Sequence, residues 1–159
     1  MRIAIIDCGT NTFNLLIRDL KSGQELYRDE KSVRLGEAGH AARRITPKAI
    51  DRGLDTLREY RRKAALYKTQ EIYAFATAMV RRAHNGDELV ERAEEEMNVN
   101  IRVISGKEEA QLILQGVRQA VDFPPGMAMV MDIGGGSTEI LLVKDGIAQY
   151  ANSFQLGSS

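Results

Sequence analysis

Short apolar runs alternate with longer amphipathic stretches along the chain, and the change of period marks the elements. Residues 3–6 are an apolar run closed by Asp7 and Gly9, the pattern of a buried strand. Residues 13–20 are again apolar and rich in strand formers, and residues 24–30 give a third strand after the turn at Ser22-Gly23. These three predict a β-meander. Residues 37–44 have no clear period and read as a loop. Thr46-Pro47 then announces a helix, with Thr46 as N-cap and Pro47 in the first helical position. Ile50, Leu54, Leu57, Ala64 and Leu66 form its apolar stripe, and Gly53 weakens the helix by about 1 kcal/mol relative to alanine.

Residues 71–76 predict a fourth strand. Asn85 followed by Glu88 resembles a capping box that opens a helix running to about Met97, and residues 101–104 predict another strand. Ser105 and Glu108 form a second box, opening a helix over residues 106–121. Pro124-Pro125-Gly126 is the strongest break in the chain. Beyond it lie a strand over 127–131, a glycine-rich turn over 132–137, a strand over 138–143, a turn signal at Asp145-Gly146 and a strand over 147–154. Strands alternating with helices predict a layered α/β domain over residues 1–123, followed by the start of a second unit over 124–159. The final three strands either join the first core or belong to a lobe of which only part is present, so the chain is expected to be a fragment. A sheet face left uncovered is a surface for self-association, which makes a homodimer one expectation.

The chain has 159 residues, zero formal net charge and 43% hydrophobic residues. A general nucleic-acid binder usually carries a basic excess, so neither nucleic acid nor membrane is an expected partner. The single cysteine, Cys8, forbids an intramolecular disulfide and is expected to be a small buried residue rather than a nucleophile. The N-terminus lacks the long apolar stretch of a signal peptide, and no segment reaches the roughly 18 apolar residues of a membrane span. A cytoplasmic location is expected. His40 and His84 have no partner pattern of a metal site or triad. The clusters Arg43-Arg44 and Arg61-Arg62-Lys63 are read as solvated faces that gain interest only with a polyanionic substrate.

Two segments repeat one design. Residues 4–17 and residues 129–143 each read apolar strand, Asp-x-Gly, small and hydroxyl residues, then a second apolar strand, with the second loop taken as one residue longer. An aspartate ending a buried strand points into the turn and can bind a divalent cation. Glycines let the backbone approach an anion, and successive amide N–H groups form an anion nest. Two such turns facing each other would clamp a phosphate chain with a metal between them.

These turns resemble those of the actin, sugar-kinase and Hsp70 superfamily, which implies a ribonuclease H-like, actin-like ATPase lobe of mixed sheet and helices, plus the first β-meander of a second such lobe. Within that superfamily four segments resemble the Ppx/GppA phosphatases. They are Ile6-Asp7-Cys8-Gly9-Thr10-Asn11-Thr12, Ala76-Thr77-Ala78-Met79-Val80-Arg81-Arg82-Ala83, Val103-Ile104-Ser105-Gly106-Lys107-Glu108-Glu109-Ala110 and Met131-Asp132-Ile133-Gly134-Gly135-Gly136-Ser137-Thr138-Glu139. The resemblance implies a metal-dependent hydrolase, with Mg²⁺ or Mn²⁺, acting on polyphosphate or guanosine pentaphosphate.

It also implies roles. Glu109 activates the attacking water, Arg81 contacts phosphate, and Asp7, Asp132 and Glu139 hold the metal and the water. Thr10, Asn11, Gly134, Gly135, Gly136 and Ser137 bind phosphate. Read by itself, Glu109 is either a general base or a solvated acid in a helix's first turn, and Glu139 either turns into the cleft or lies on an exposed strand face. Glu108 is assigned to capping. Arg82 departs from the family, which usually has an acid there, and Asn14 departs where many members carry arginine. Two rivals keep the fold: a small-metabolite kinase, and a phosphate- or nucleotide-binding module without turnover.

Overall fold

The computed structural model describes residues 1–38 and 43–158; His40 and the middle of the expected 37–44 loop lie outside the described residues. The chain order is β1 (Arg2–Cys8), β2 (Thr12–Asp19), β3 (Glu25–Ser32), α1 (Pro47–Leu66), β4 (Glu71–Ala76), α2 (Ala78–Arg82), α3 (Gly86–Met97), β5 (Ile101–Val103), α4 (Gly106–Ala120), β6 (Met127–Ile133), β7 (Thr138–Lys144) and β8 (Ile147–Phe154). The expected order holds, with one addition. Helix α2 has too few residues to show a period.

Strands β1–β5 form one mixed sheet in the order β3-β2-β1-β4-β5. The meander β1–β3 is antiparallel, and β4 and β5 add in parallel beside β1. Parallel pairing needs crossovers, and α1 and α3 supply them. Ala4, Ile6 and Cys8 of β1 and Phe13, Leu15 and Ile17 of β2 are buried with Ile50, Leu54 and Leu57 of α1 and Leu89 of α3. Alternation puts Asp7 on the other side of the sheet from this core. Tyr60 is fully buried and donates its hydroxyl to the Phe13 carbonyl at 2.8 Å.

Gly53 stands where α1 meets α3 and β2. A Cβ there would lie 3.2 Å from Leu89 and 3.5 Å from Phe13. The intrinsic cost of glycine in the helix is thus offset by closer packing. Thr46 caps α1 as expected, accepting from the Ala49 amide at 3.2 Å, but Leu66, expected on the apolar stripe, is the last residue of the helix and is exposed. Asn85 does not cap α3 with its side chain. Its amide instead brackets Ile45, accepting from the Ile45 N–H at 2.9 Å and donating to the Ile45 carbonyl at 3.0 Å. Two backbone groups in the approach to α1 outcompete one helix-end donor.

Strands β6, β7 and β8 form a separate antiparallel sheet. They do not join the first core. Leu141 and Val143 of β7 bury against Ala110 and Leu114 of α4. The expected boundary after residue 123 therefore falls behind a helix whose packing partner is the sheet beyond it. The opposite face, with Met127, Met129, Met131 and Ile133, is exposed. Among the described residues no helix is long and apolar enough to cross a membrane.

Candidate functional site

The two turns have the same length. Cys8 pairs with Phe13 and Ile133 pairs with Thr138, so each hairpin spans four residues between its last paired positions. The expected extra residue in the second loop is not there. Gly9 N–H donates to the Thr12 carbonyl at 3.0 Å, and Gly134 N–H donates to the Ser137 carbonyl at 2.9 Å. A Cβ on Gly9 would sit 2.9 Å from the Thr12 oxygen, and one on Gly134 would sit 3.2 Å from the Ser137 oxygen. Glycine is needed at both places for the same reason. Asp7 then pairs across strands with Asn14, and Asp132 with Glu139.

The turns meet tip to tip. A Cβ on Gly135 would lie 2.7 Å from the Asn11 amide group, and one on Gly136 would lie 2.4 Å from Thr10 Oγ1 and 3.0 Å from Ala78. Between them is a cleft of about 210 Å³ lined by Asp7, Thr10, Asn11, Thr77, Glu109, Asp132, the three glycines, Ser137 and Glu139, among others. Every expected site residue but Arg81 lines it. Arg81 reaches it from α2, donating to Glu109 at 3.1 Å and to the Ile104 carbonyl at 2.7 Å. Arg82 approaches the Gly136 carbonyl at 3.5 Å.

Burial and neighbouring charge raise the proton affinity of two of the carboxylates, Glu109 and Asp7. Glu109 stands in the first turn of α4, where Ser105 accepts from the Glu108 amide at 3.2 Å. Its carboxyl is pushed up to about 6, first by burial and then by the charge of Glu139, while the Arg81 guanidinium pulls the other way. Glu108 points away and pairs with Arg102 at 2.6 Å. Asp7 opens to solvent at the cleft mouth but is crowded by protein elsewhere. That burial raises its carboxyl, the Asn14 amide at 3.3 Å lowers it, and the charge of Asp132 raises it further. Glu139 is only 1% exposed and accepts a hydrogen bond from Ser153 Oγ at 2.6 Å. The open reading of Glu139 thus resolves toward the cleft.

Two carboxylates that repel each other across a cleft are a fit for a hard divalent cation. The donors are all oxygen, which suits Mg²⁺ or Mn²⁺. Among the described residues no three His, Cys, Asp or Glu side chains gather into a cage. Mg²⁺ does not need one, because it commonly takes one or two carboxylates and completes its shell with phosphate and water. Thr10 Oγ1 is buried without a hydrogen-bond partner at the point where the turns meet.

Sequence reasoning missed Ser153 and Thr77. Only the strand pairing of β7 with β8 could have found Ser153, since it lies directly opposite Glu139. Cys8 is buried as expected, and burial drives its thiol well up. Arg61 and Arg62 line a hollow with Gln70 and Ile72 near the start of β4, whereas Thr77 enters the cleft just beyond the end of that strand. Those basic residues stand apart from the site.

Residues 16–159 match the Ppx/GppA phosphatase family. Exopolyphosphatase 1 of Mycobacterium leprae is 32% identical over 161 residues, covering 99% of this chain and 48% of that protein. The chain spans about half the length of the curated relatives it matches. A crystal structure of an exopolyphosphatase from Cytophaga hutchinsonii is 38% identical with a TM-score of 0.94, over 99% of this chain and 51% of that one. A Bacteroides thetaiotaomicron protein described as having an actin-like ATPase fold and unknown function is 10% identical with a TM-score of 0.61, over 99% of this chain and 71% of that one. That last likeness concerns the fold alone.

Proposed function

We propose, for a chain that belongs to the Ppx/GppA phosphatase family, that its cleft serves the hydrolysis of a terminal phosphoanhydride bond of inorganic polyphosphate. The observation that carries this reading is Glu109. It is a half-buried carboxylate with its proton affinity raised to about 6, held by an arginine and facing two glycine-lined turns. A general base works best with a pKa near the operating pH.

Glu109 takes a proton from water as the water oxygen bonds to the terminal phosphorus. The bridging P–O bond breaks, and its electron pair leaves on the shortened chain. The amides of Gly134, Gly135, Gly136 and Ser137 face the phosphate from one side and the Thr10-Asn11 turn faces it from the other. Arg81 balances negative charge on the transferred group. Asp7 and Asp132 would hold Mg²⁺, which supplies charge neutralisation for the phosphate oxygens when bound.

A second substrate, guanosine pentaphosphate, is favoured by one feature. An annex of about 300 Å³ shares Asp7, Glu109 and Asp132 with the cleft and is walled by Phe75, Ile104, Leu112 and Ile113. Apolar walls beside a phosphate clamp suit a nucleobase. The kinase and the non-catalytic module lack a comparable supporting feature.

The test is phosphate release from polyphosphate and from guanosine pentaphosphate by the protein as the cell makes it, with Mg²⁺ and after chelation by EDTA. Glu109→Ala should lower turnover at least about a hundredfold. Undetectable hydrolysis by the well-folded unaltered protein would return the question to the kinase and binding-module rivals.

A further inference from the structure

Glu139 is a buried carboxylate at the floor of a cleft, and such a group needs a partner to stay where it is. Its nearest strand neighbour is Ser153, directly opposite it in the β7–β8 pair. Ser153 Oγ donates to Glu139 Oε1 at 2.6 Å, a short contact of the charge-assisted kind. The Ser153 backbone is held in the β7–β8 ladder, and its amide donates to Asn152 Oδ1 at 3.0 Å.

The third party is Gly106, the first residue of α4. A Cβ on Gly106 would fall 2.5 Å from Ser153 Cβ, 2.8 Å from Ser153 Oγ and 3.6 Å from Arg81 Nη2. Glycine here has an ordinary backbone conformation, since only Gly23, Gly126 and Gly146 have positive φ among the described glycines. It is therefore there for room. The bare Cα lets β8 press against the start of the helix that carries Glu109 three residues later.

We infer that Ser153 is a positioning residue, which holds one oxygen of Glu139 so that the other faces the reacting phosphate, and that Gly106 is the gap that admits it. Ser153 touches no substrate in this arrangement. It acts through Glu139, and it couples the strand bearing Glu139 to the helix bearing Glu109.

The kinetic side rests on the phosphohydrolase reading, whereas the positional side does not. Two variants, Ser153→Ala and Gly106→Ala, are therefore compared with the unaltered protein by crystallography and by steady-state kinetics on polyphosphate. Loss of one hydrogen bond to a charged group is expected to lower kcat on the order of tenfold to a hundredfold. KM should stay within about twofold, because phosphate is gripped by the turns. The crystal structure of Ser153→Ala should show the Glu139 carboxylate rotated from its present place. Gly106→Ala keeps the hydroxyl but displaces it, and should reproduce the kcat defect. A Glu139 that stays put in Ser153→Ala overturns the inference whatever the kinetics, and so does an unchanged kcat. A Glu139 that moves in a protein without phosphatase turnover supports the positioning and removes the phosphohydrolase reading instead.

Discussion

Asn14 and Glu139 occupy the same place in two hairpins of identical register, each directly across the ladder from the aspartate one residue short of the first strand's end. One site is neutral and the other charged. Asn14 donates to Asp7 and stabilises that carboxylate, whereas Glu139 adds a second negative charge beside Asp132 and is felt by Glu109. The duplicated unit is symmetric in backbone and asymmetric in charge. The difference puts the carboxylate that raises the proton affinity of Glu109 on the sheet that packs against α4.

The raised proton affinity of Glu109 sets a pH limb. A base must be ionised, so turnover is expected to fall as pH drops through about 6. Stability runs the opposite way. The folded protein holds this proton more tightly than the ordinary value of 4.5 in the unfolded chain, so the associated stability is complete below about 4.5 and is lost as pH rises through about 6. Glu109→Gln should therefore be inactive yet more stable than the unaltered protein at pH 8, by roughly 2 kcal/mol at most. Urea titrations at pH 4 and pH 8 read this directly. An equal effect of the substitution at both values would contradict it.

Arg81 lowers the proton affinity of Glu109 and also ties itself to the Ile104 carbonyl. Removing the guanidinium in Arg81→Ala should move the acid limb of the rate profile to higher pH, besides lowering kcat. Arg81→Lys keeps the charge and loses the fork, so its limb should move less. A pH–rate series on the three proteins decides the matter, and an unmoved limb in Arg81→Ala would separate the arginine from the base.

The glycine positions divide cleanly. Gly136→Ala puts a methyl group 2.4 Å from Thr10 Oγ1 and should raise KM for polyphosphate at least tenfold by forcing the turns apart. Gly116, within α4, meets nothing within 4 Å. Gly116→Ala should leave KM alone and add up to about 1 kcal/mol of stability. Matched kinetics on both variants would expose a general glycine effect if the KM of Gly116→Ala rose as well.

Tyr60→Phe removes the buried hydroxyl that satisfies the Phe13 carbonyl at 2.8 Å. The cost is expected to be about 1–2 kcal/mol, or a few degrees in Tm. Because Phe13 lies on the strand that follows the first turn, calorimetry should record the loss while KM stays unchanged. A raised KM would mean that the core and the turn are mechanically linked.

Much of this was legible in the chain. Local signals located the helices bounded by Thr46-Pro47 and Ser105-Gly106, because a cap and its first turn are written in neighbouring residues. The Asp-x-Gly repeats located the cleft, since strand-end aspartates and glycines carry their own geometry. Asn85 shows the limit of such signals: the same side chain has two competing partners, and the winner, Ile45, is distant in sequence. Helix α2 was too short to show a period. The extra residue assigned to the second turn has no basis in register: aligned without a gap from Asp7 and Asp132, Thr12 falls on Ser137 and Phe13 on Thr138, as the strand pairing has them. Ser153 could not be read at all, since its importance arises from a pairing made across a hairpin and a helix start.

The two turns meet tip to tip, with Gly135 against Asn11 and Gly136 against Thr10. Where glycine meets a turn of the other sheet, one wall of the slot is main chain, and main chain cannot step aside by changing rotamer. The width of the slot is then set by how the two separate sheets are placed against each other. Such a slot works as a gauge, with its bore fixed by the fold before any ligand arrives. That bore changes only when one turn moves against the other, which is what a methyl group added at Gly135 or Gly136 would force.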